Sequence, residues 1–272
     1  MKVAVLGCGP AGLFAAHAAV RSGHDVEIFS KRRKSRMFGA QYLHRNIPLL
    51  TNEAPDFGIH YVLRGGAEAY AQKVYGDVPP DFVSPSELHG LHPAWDIRMA
   101  YDVAWDIYGD LVQDVTIDPL WIVMTLLRKY KNRRGYDRII STIPAPEICR
   151  EPSQHSFLAR EAWAIGDAPE LGIECPVEVE ADTVVCDGTD DVGWYRASNI
   201  RGFKTAEYPE YRKPPIPDIA RVTKVVRTNC NCWAQAGFWR TGRYGAWNKR
   251  LLTHHAYWGI LDAFQPDRKR KH

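Results

Sequence analysis

The feature that most constrains this chain is a glycine-rich hexapeptide set directly behind a short apolar run. Lys2-Val3-Ala4-Val5-Leu6 has the β-branched, apolar character of a strand buried in a parallel sheet, and Gly7-Cys8-Gly9-Pro10-Ala11-Gly12 follows without a spacer. Residues 13–21 are alanine-rich and helix-forming, Ser22-Gly23 stops them, and residues 25–29 read as a second strand. A strand, Gly-x-Gly-x-x-Gly, helix, strand order makes a dinucleotide-binding unit. The first glycine permits the tight turn, the second lets backbone approach a pyrophosphate, and the third allows close packing of helix on strand. The helix N-terminus then offers unsatisfied N–H groups and a positive dipole end to the phosphates. Gly7, Gly9, Pro10, Ala11 and Gly12 are therefore candidate cofactor-binding residues.

The position that usually closes the second strand with a ribose-binding Asp or Glu carries Ser30 here, followed by Lys31-Arg32-Arg33-Lys34. Glu27 lies inside the strand, in the wrong place to substitute. Two readings stay open: Ser30 and the adjacent cations accommodate a 2′-phosphate, pointing to NADP, or Ser30 bonds a ribose hydroxyl and the cations, Lys31 among them, face solvent.

Composition narrows the class. With 272 residues, 45% hydrophobic and 25% charged, the chain can build a substantial core as one large domain or two intimate ones. The formal charge of +3 hides an uneven distribution. Residues 31–36, 128–134 and 268–271 hold 5, 5 and 4 basic residues and no acidic one, while the rest carries 21 basic against 32 acidic. No apolar run approaches the roughly 20 residues of a membrane span. The start of the chain lacks a signal-peptide pattern, and six irregularly spaced cysteines make no disulfide framework, so a cytoplasmic location is expected. Cys230-Asn231-Cys232 is the only close pair, and with no second pair or His at zinc-finger spacing it reads as buried or incidental thiols, with no metal site expected.

Two further segments bear on the cofactor. Tyr136-Asp137-Arg138-Ile139-Ile140-Ser141-Thr142-Ile143-Pro144-Ala145-Pro146 resembles the strand that returns to the dinucleotide-binding sheet in flavoprotein amine oxidases and UDP-galactopyranose mutases. Phe238-Trp239-Arg240-Thr241-Gly242-Arg243-Tyr244-Gly245-Ala246-Trp247, followed by an apolar helix over residues 251–264, resembles the closing motif of those families. The resemblance implies an FAD-dependent oxidoreductase of the glutathione-reductase-like class, closest to the mutase and amine-oxidase branch. It further implies that Gly242 and Arg243 lie beside the pyrophosphate, and that Trp247 and Leu252 belong to the cofactor site. Ser30 and the short chain depart from the family pattern. Ala164-Ile165-Gly166-Asp167-Ala168 superficially matches a second flavoprotein motif, but no long apolar helix follows it, and it reads as a decoy.

The expected fold is α/β, a Rossmann-like FAD-binding domain with a parallel sheet plus a small inserted, mostly antiparallel β substrate domain. Residues 1–64, 110–150 and 228–266 would form the FAD part, residues 65–109 and 151–227 the substrate or cap region, and residues 267–272 a basic tail. Helices are expected near 65–74, 99–108 and 119–130, the last with Asp118 as its cap and Pro119 at its first position. Residues 78–93 read as a Pro-rich connector. Strands are expected at 178–186, 193–197 and 200–206. Residues 35–52 form a loop toward the ring end of the cofactor, with Gly39 and Ala40 giving close backbone approach and Gln41 at the cofactor.

With no second Gly-x-Gly-x-x-Gly after a strand, and no Ser-His-Asp, Cys-His or metal-ligand arrangement, the flavin itself is the expected reactive group. His44 is the candidate acid/base and Arg196 the candidate anchor for a substrate anion, with Arg45, Trp194 and Tyr195 as candidate substrate-binding residues. The expected reaction is oxidation, isomerisation or cleavage of an amine-, amino-acid- or nucleotide-linked substrate. The chain also resembles compact bacteriophage FAD proteins acting on modified thymidines in DNA, in which case the basic clusters contact nucleic acid. The alternatives are an NADP-dependent reductase and a non-catalytic nucleic-acid-binding protein that retains a dinucleotide fold.

Overall fold

The computed structural model describes residues 1–31, 37–38, 41–77, 88–115, 118–131, 135–234 and 237–266, with backbone alone at 127–131. In chain order the elements are β1 (Lys2–Leu6), α1 (Pro10–Arg21), β2 (Asp25–Ser30), β3 (Phe57–Arg64), α2 (Gly66–Tyr75), β4 (Gly90–Ala94), α3 (Ile97–Tyr108), β5 (Val112–Asp114) and α4 (Pro119–Lys131). There follow β6 (Arg138–Ser141), β7 (Phe157–Gly166), β8 (Thr183–Asp187), β9 (Arg196–Ile200), β10 (Phe203–Pro209), β11 (Ala220–Thr228), β12 (Phe238–Arg240), the one-turn α5 (Gly242–Gly245) and α6 (His255–Phe264).

The architecture is α/β with two sheets. A five-stranded parallel sheet runs β12-β6-β1-β2-β5, and a seven-stranded sheet runs β11-β7-β10-β9-β8-β3-β4. Every pair in the second sheet is antiparallel except β3 with β8. β1 sits between β2 and β6, so the strand order reverses beside it, and a crevice opens at the carboxyl ends of the strands there. The alanines of α1 let α3 and α6 approach closely, and these helices share one apolar core with β1 and β2. The opposite face of the parallel sheet is covered by α4, through Ile122, Val123 and Leu126. Asp118 caps α4 as expected, its carboxylate accepting the Trp121 N–H at 2.9 Å.

Several boundaries differ from the sequence reading. β3 lies in the seven-stranded sheet rather than in the nucleotide-binding part, and α3 packs on α1 rather than in the cap, so the divisions expected at residues 64 and 109 are displaced. β3, β4 and β5 were not expected, and β4 occupies the end of the supposed connector over residues 78–93. Its earlier residues, 78–87, lie outside those described. The strand expected at 200–206 is broken by a two-residue hairpin turn. Arg201 and Gly202 both take positive φ, 54° and 83°, and Ile200 pairs with Phe203 across the turn. Among the described residues no helix is long and apolar enough to cross a membrane.

Candidate functional site

A cavity of about 1270 Å³ runs from the glycine-rich turn after β1 across to the inner face of the seven-stranded sheet. That exceeds the roughly 300–1,000 Å³ of a typical small-molecule pocket and leaves room for a dinucleotide together with a second molecule.

The dinucleotide end is built by β1, α1, β2 and β6. Gly7 has φ +101°, and a Cβ there would lie 2.4 Å from Thr142 Oγ1. A Cβ on Gly12 would come within 1.9 Å of the Gly7 carbonyl oxygen. Gly9 is different: nothing stands within 4 Å of where its Cβ would be, because that position projects into open space. Two side chains brace the turn from behind. The Tyr101 hydroxyl donates to the Cys8 carbonyl at 2.8 Å, and Thr142 Oγ1 donates to the Leu6 carbonyl at 2.9 Å. Ser30 Oγ accepts the Cys8 N–H at 3.2 Å, tying the end of β2 to the same turn, and both Ser30 and Lys31 line the cavity. Glu27 is committed elsewhere, to Lys2, to the Tyr136 hydroxyl and to Gln113. Pro10, Ala11, Gln41, Gly242, Arg243 and Leu252 also line the cavity. Gly39 and Ala40 lie outside the described residues.

The far end is charged. Arg196 on β9 and Glu207 on β10 are cross-strand partners, their side chains meeting at 2.5 Å, and Lys224 on β11 reaches the other oxygen of the same carboxylate. Burial alone would raise the Glu207 carboxyl, but Arg196 and Lys224 hold it down at about 2. Lys224 is pushed down to about 8 by burial and by Arg196, against the pull of Glu207. The Arg243 guanidinium is likewise lowered, by burial first and by Arg196 second. Three cations thus face one carboxylate, leaving this end net positive at neutral pH. Tyr42, Tyr61, Tyr70 and Tyr75 add aromatic walls.

His44 faces the cavity between these ends, its ring 4.4 Å from that of Tyr42 and 5.9 Å from that of His254. Burial, then His92, Arg243 and His255, bring its pKa down to about 4, so it is neutral at pH 7.

Four of the expected contacts are corrected. Arg45 is not among the cavity's lining residues; its guanidinium stacks on Trp258 of α6, 3.7 Å from the ring centre. Trp194 packs on the Ile165 and Tyr208 cluster away from the cavity. Tyr195 is 1% exposed and lies against Tyr70 in the core. Trp247 is also core, edge-on to Phe157 at 5.9 Å. Large aromatics beside a glycine-rich or charged motif carry no local signal of whether they turn to the core or to a ligand. The helix expected from 251 begins at His255, whose Nδ1 accepts the Leu252 N–H at 2.9 Å, and residues 251–253 line the cavity ahead of it. The Gly166-Asp167 decoy is a structural turn, with the Asp167 carboxylate accepting the N–H groups of Cys175 and Lys204, each at 2.7 Å.

The sequence reading placed Tyr42 beside Gln41 and His44 in the segment expected near the flavin, but missed the phenols of Tyr61, Tyr70 and Tyr75, together with Glu207 and Lys224. Only strand register brings these last two to Arg196. It also left Cys230 and Cys232 without partners, whereas the fold brings Cys149 and His155 to them. Of the basic clusters expected to meet nucleic acid, residues 32–36, 132–134 and 268–271 lie outside the described residues, and residues 128–131 form the backbone of the last turn of α4. Lys31, which is described, faces the cavity.

This parallel sheet, with its glycine-rich turn at the reversal of strand order, defines a Rossmann-like dinucleotide-binding fold. Among solved structures the chain is similar to CmlS, a flavin-dependent halogenase, with a TM-score of 0.53 and 15% identity over 100% of this chain and 58% of that one. It is also similar to tetracycline destructase Tet(51), at TM-score 0.49 and 10% identity, covering 98% and 82% of the two chains. A third likeness is to 2-methyl-3-hydroxypyridine-5-carboxylic acid oxygenase, at 0.48 and 13%, covering 99% and 82%. At these identities the likeness is one of fold. None of the three is a mutase or an amine oxidase. The return strand and the Gly-Arg turn belong to the parallel sheet itself, so they do not single out that branch. No family model matches the chain, and no curated protein matches it.

Proposed function

We propose that the protein is an FAD-dependent enzyme whose substrate is anionic and carries a planar group. The observation that carries this reading is the continuity of the cavity: one volume joins a pyrophosphate-binding turn to a buried cationic, phenol-lined end. The fit of the dinucleotide end rests on Gly9, where the missing Cβ leaves open space at the N-terminus of α1. Backbone N–H groups of that turn would hold the pyrophosphate, Ser30 would meet the adenosine ribose, and Arg243 would add charge beside the phosphates. FAD supplies hydride and electron chemistry that no side chain offers.

The chain's own residues do the rest. Arg196 and Lys224, held in place by Glu207, would bind the substrate anion, while Tyr42 and Tyr61 stack on or bond its planar part. Neutral His44 would accept or relay a proton. Of the amine-, amino-acid- and nucleotide-linked substrates, the cationic end favours the nucleotide-linked ones, whose phosphate supplies the anion and whose base the plane. Whether the reaction is an oxidation, an isomerisation or a cleavage separates on one readout: bleaching of bound flavin by substrate without oxygen marks oxidation, and turnover without bleaching marks the others.

The first test is cofactor content. Purified protein with a flavin spectrum, releasing FAD on denaturation, supports the reading. Protein that FAD does not stabilise but NADPH does would replace it with the reductase alternative.

A further inference from the structure

We propose that Cys149, His155, Cys230 and Cys232 form a structural zinc site. The four ligand atoms lie within 4.8 Å of one another. For a tetrahedral Zn²⁺ with Zn–S of about 2.3 Å and Zn–N of about 2.0–2.1 Å, the edges are about 3.8 Å between sulfurs and about 3.6 Å between sulfur and nitrogen. Four of the six spacings lie close to that figure, and the other two are within 4.8 Å. Cys149 Sγ is 3.8 Å from the Sγ of both Cys232 and Cys230, and His155 Nδ1 is 3.3 Å from Cys149 Sγ and 3.6 Å from Cys232 Sγ. A cluster of two or more irons would spread its ligands wider, so the geometry specifies one ion. Three thiolates and an imidazole in a closed tetrahedron are the donor set of a structural zinc, with no position left for substrate.

The surroundings are ordered for the same purpose. The Arg150 and Glu151 N–H groups meet the Cys232 sulfur, and that of Glu151 also meets Cys149, the N–H···S arrangement of a metal-bound thiolate. Trp233 Nε1 donates to the Ile148 carbonyl at 2.8 Å. Asn229 Oδ1 accepts the Ser156 N–H at 2.8 Å, and Thr228 Oγ1 donates to the Ser156 carbonyl at 2.7 Å. These bonds bring the two ligand-bearing loops into register. Zn²⁺ with three thiolates carries net negative charge. Arg240, which donates through Nη2 to the Cys230 carbonyl and whose buried Nη1 has no partner among the described residues, supplies an adjacent cation.

The position gives the ion a task. One loop continues from residues 143–147, which contribute to the cavity wall, and the other leads into β12 and the Gly242-Arg243 turn. The zinc would staple these two segments, 83 residues apart at Cys149 and Cys232, behind the dinucleotide end.

The test uses the full chain, purified without a polyhistidine tag from zinc-supplemented cells. Elemental analysis is expected to find about one zinc per chain, since such sites bind too tightly to lose metal on desalting. Replacing the metal with Co²⁺ should produce the intense visible bands of a tetrahedral thiolate complex. Cys232→Ser should lose most of the metal, while His155→Cys should keep it and shift the cobalt bands. Cofactor content, read separately, does not enter this result. Folded protein without zinc, whose reduced thiols bind Co²⁺ without those bands, would overturn the proposal. So would a disulfide among the three cysteines, or undiminished zinc in a Cys149→Ser, Cys232→Ser double variant. Should the serine variants fail to fold, the cobalt spectrum of the unaltered chain still decides.

Discussion

Replacing Gly9 with alanine should leave the stability of the cofactor-free protein nearly unchanged while removing most of its response to FAD. Gly9 has φ −67° and ψ 174°, extended backbone that any L-residue adopts, and no atom lies within 4 Å of the added Cβ. A glycine-to-alanine change at such a compatible position stabilises by about 0.4–1 kcal/mol, because it restricts the unfolded chain. Gly9 is also the N-cap of α1, a position where alanine is worse than glycine by a similar amount, so the two effects nearly cancel. At about 2–4 °C per kcal/mol for a chain approaching this size, the melting midpoint of the cofactor-free protein should move by less than about 4 °C. The added methyl group occupies the approach of the pyrophosphate to the backbone. The unaltered protein should gain about 2.7 kcal/mol at FAD one hundred times its dissociation constant, and Gly9→Ala should lose most of that gain. Gly9→Val should abolish FAD retention in a chain that still folds. Gly12→Ala is the control for a steric clash. Its Cβ would strike the Gly7 carbonyl oxygen at 1.9 Å, so the cofactor-free protein should lose stability, by about 1–3 kcal/mol or more. Thermal melts by circular dichroism, with and without FAD, separate the cases. A Gly9→Ala protein with an undiminished FAD-dependent shift would refute the site, and one whose cofactor-free midpoint falls as far as that of Gly12→Ala would refute the reading of the open space.

Other outcomes follow from the charged end and its neighbours. Arg243→Ala should weaken FAD binding by about 10- to 100-fold, the worth of a charged hydrogen bond, measured by flavin fluorescence quenching; an unchanged dissociation constant removes it from the site. Glu207→Gln leaves the partly exposed Arg196 and Lys224 without their carboxylate and should cost about 1–3 kcal/mol in denaturant unfolding. Because its folded pKa is depressed to about 2, Glu207 contributes stability above the ordinary carboxylate range and loses it as pH falls from about 4.5 toward 2; an equally steep acid limb in Glu207→Gln would contradict this. Lys224 loses its charge as pH rises through about 8, so KM for an anionic substrate should climb there, and Lys224→Met should remove that rise. His44 is lowered to about 4, so no limb of the pH–rate profile between 5 and 8 should belong to it; one near 6.5 that disappears in His44→Gln would show that water at the exposed edge of the ring outweighs its packing against the cavity wall.

Much of the dinucleotide end was readable from local order alone. β1, α1 and β2 are consecutive, and the glycines sit where the turn and the close packing demand them; that Ser30, at the end of β2, accepts the Cys8 N–H was not legible. Such units follow from short-range sterics and hydrophobic period, which a single chain displays openly. Gly242 and Arg243 were found by resemblance, and both reach the cavity. The same local logic misjudged Trp194 and Tyr195, because alternation along an expected strand says that successive side chains point to opposite faces but not which face meets the core. Trp247, taken from the resemblance of the closing motif, lies beyond α5 and turns into the core.

The charged end and the thiol cluster belong to tertiary structure. Arg196, Glu207 and Lys224 come from three strands, and their meeting depends on the register of β9 on β10 and on β11 reaching the same carboxylate from across β7. Cys149 and His155 approach Cys230 and Cys232 because β6 and β12 are neighbours in the parallel sheet and because β7 and β11 pair at Phe157 and Thr228 in the other. Spacing along the chain cannot reveal such sites, since loop closure joins residues at a cost that grows only slowly with the length between them. Local pattern determined that a nucleotide would be held at the end of the first strand; sheet closure decided what would face it.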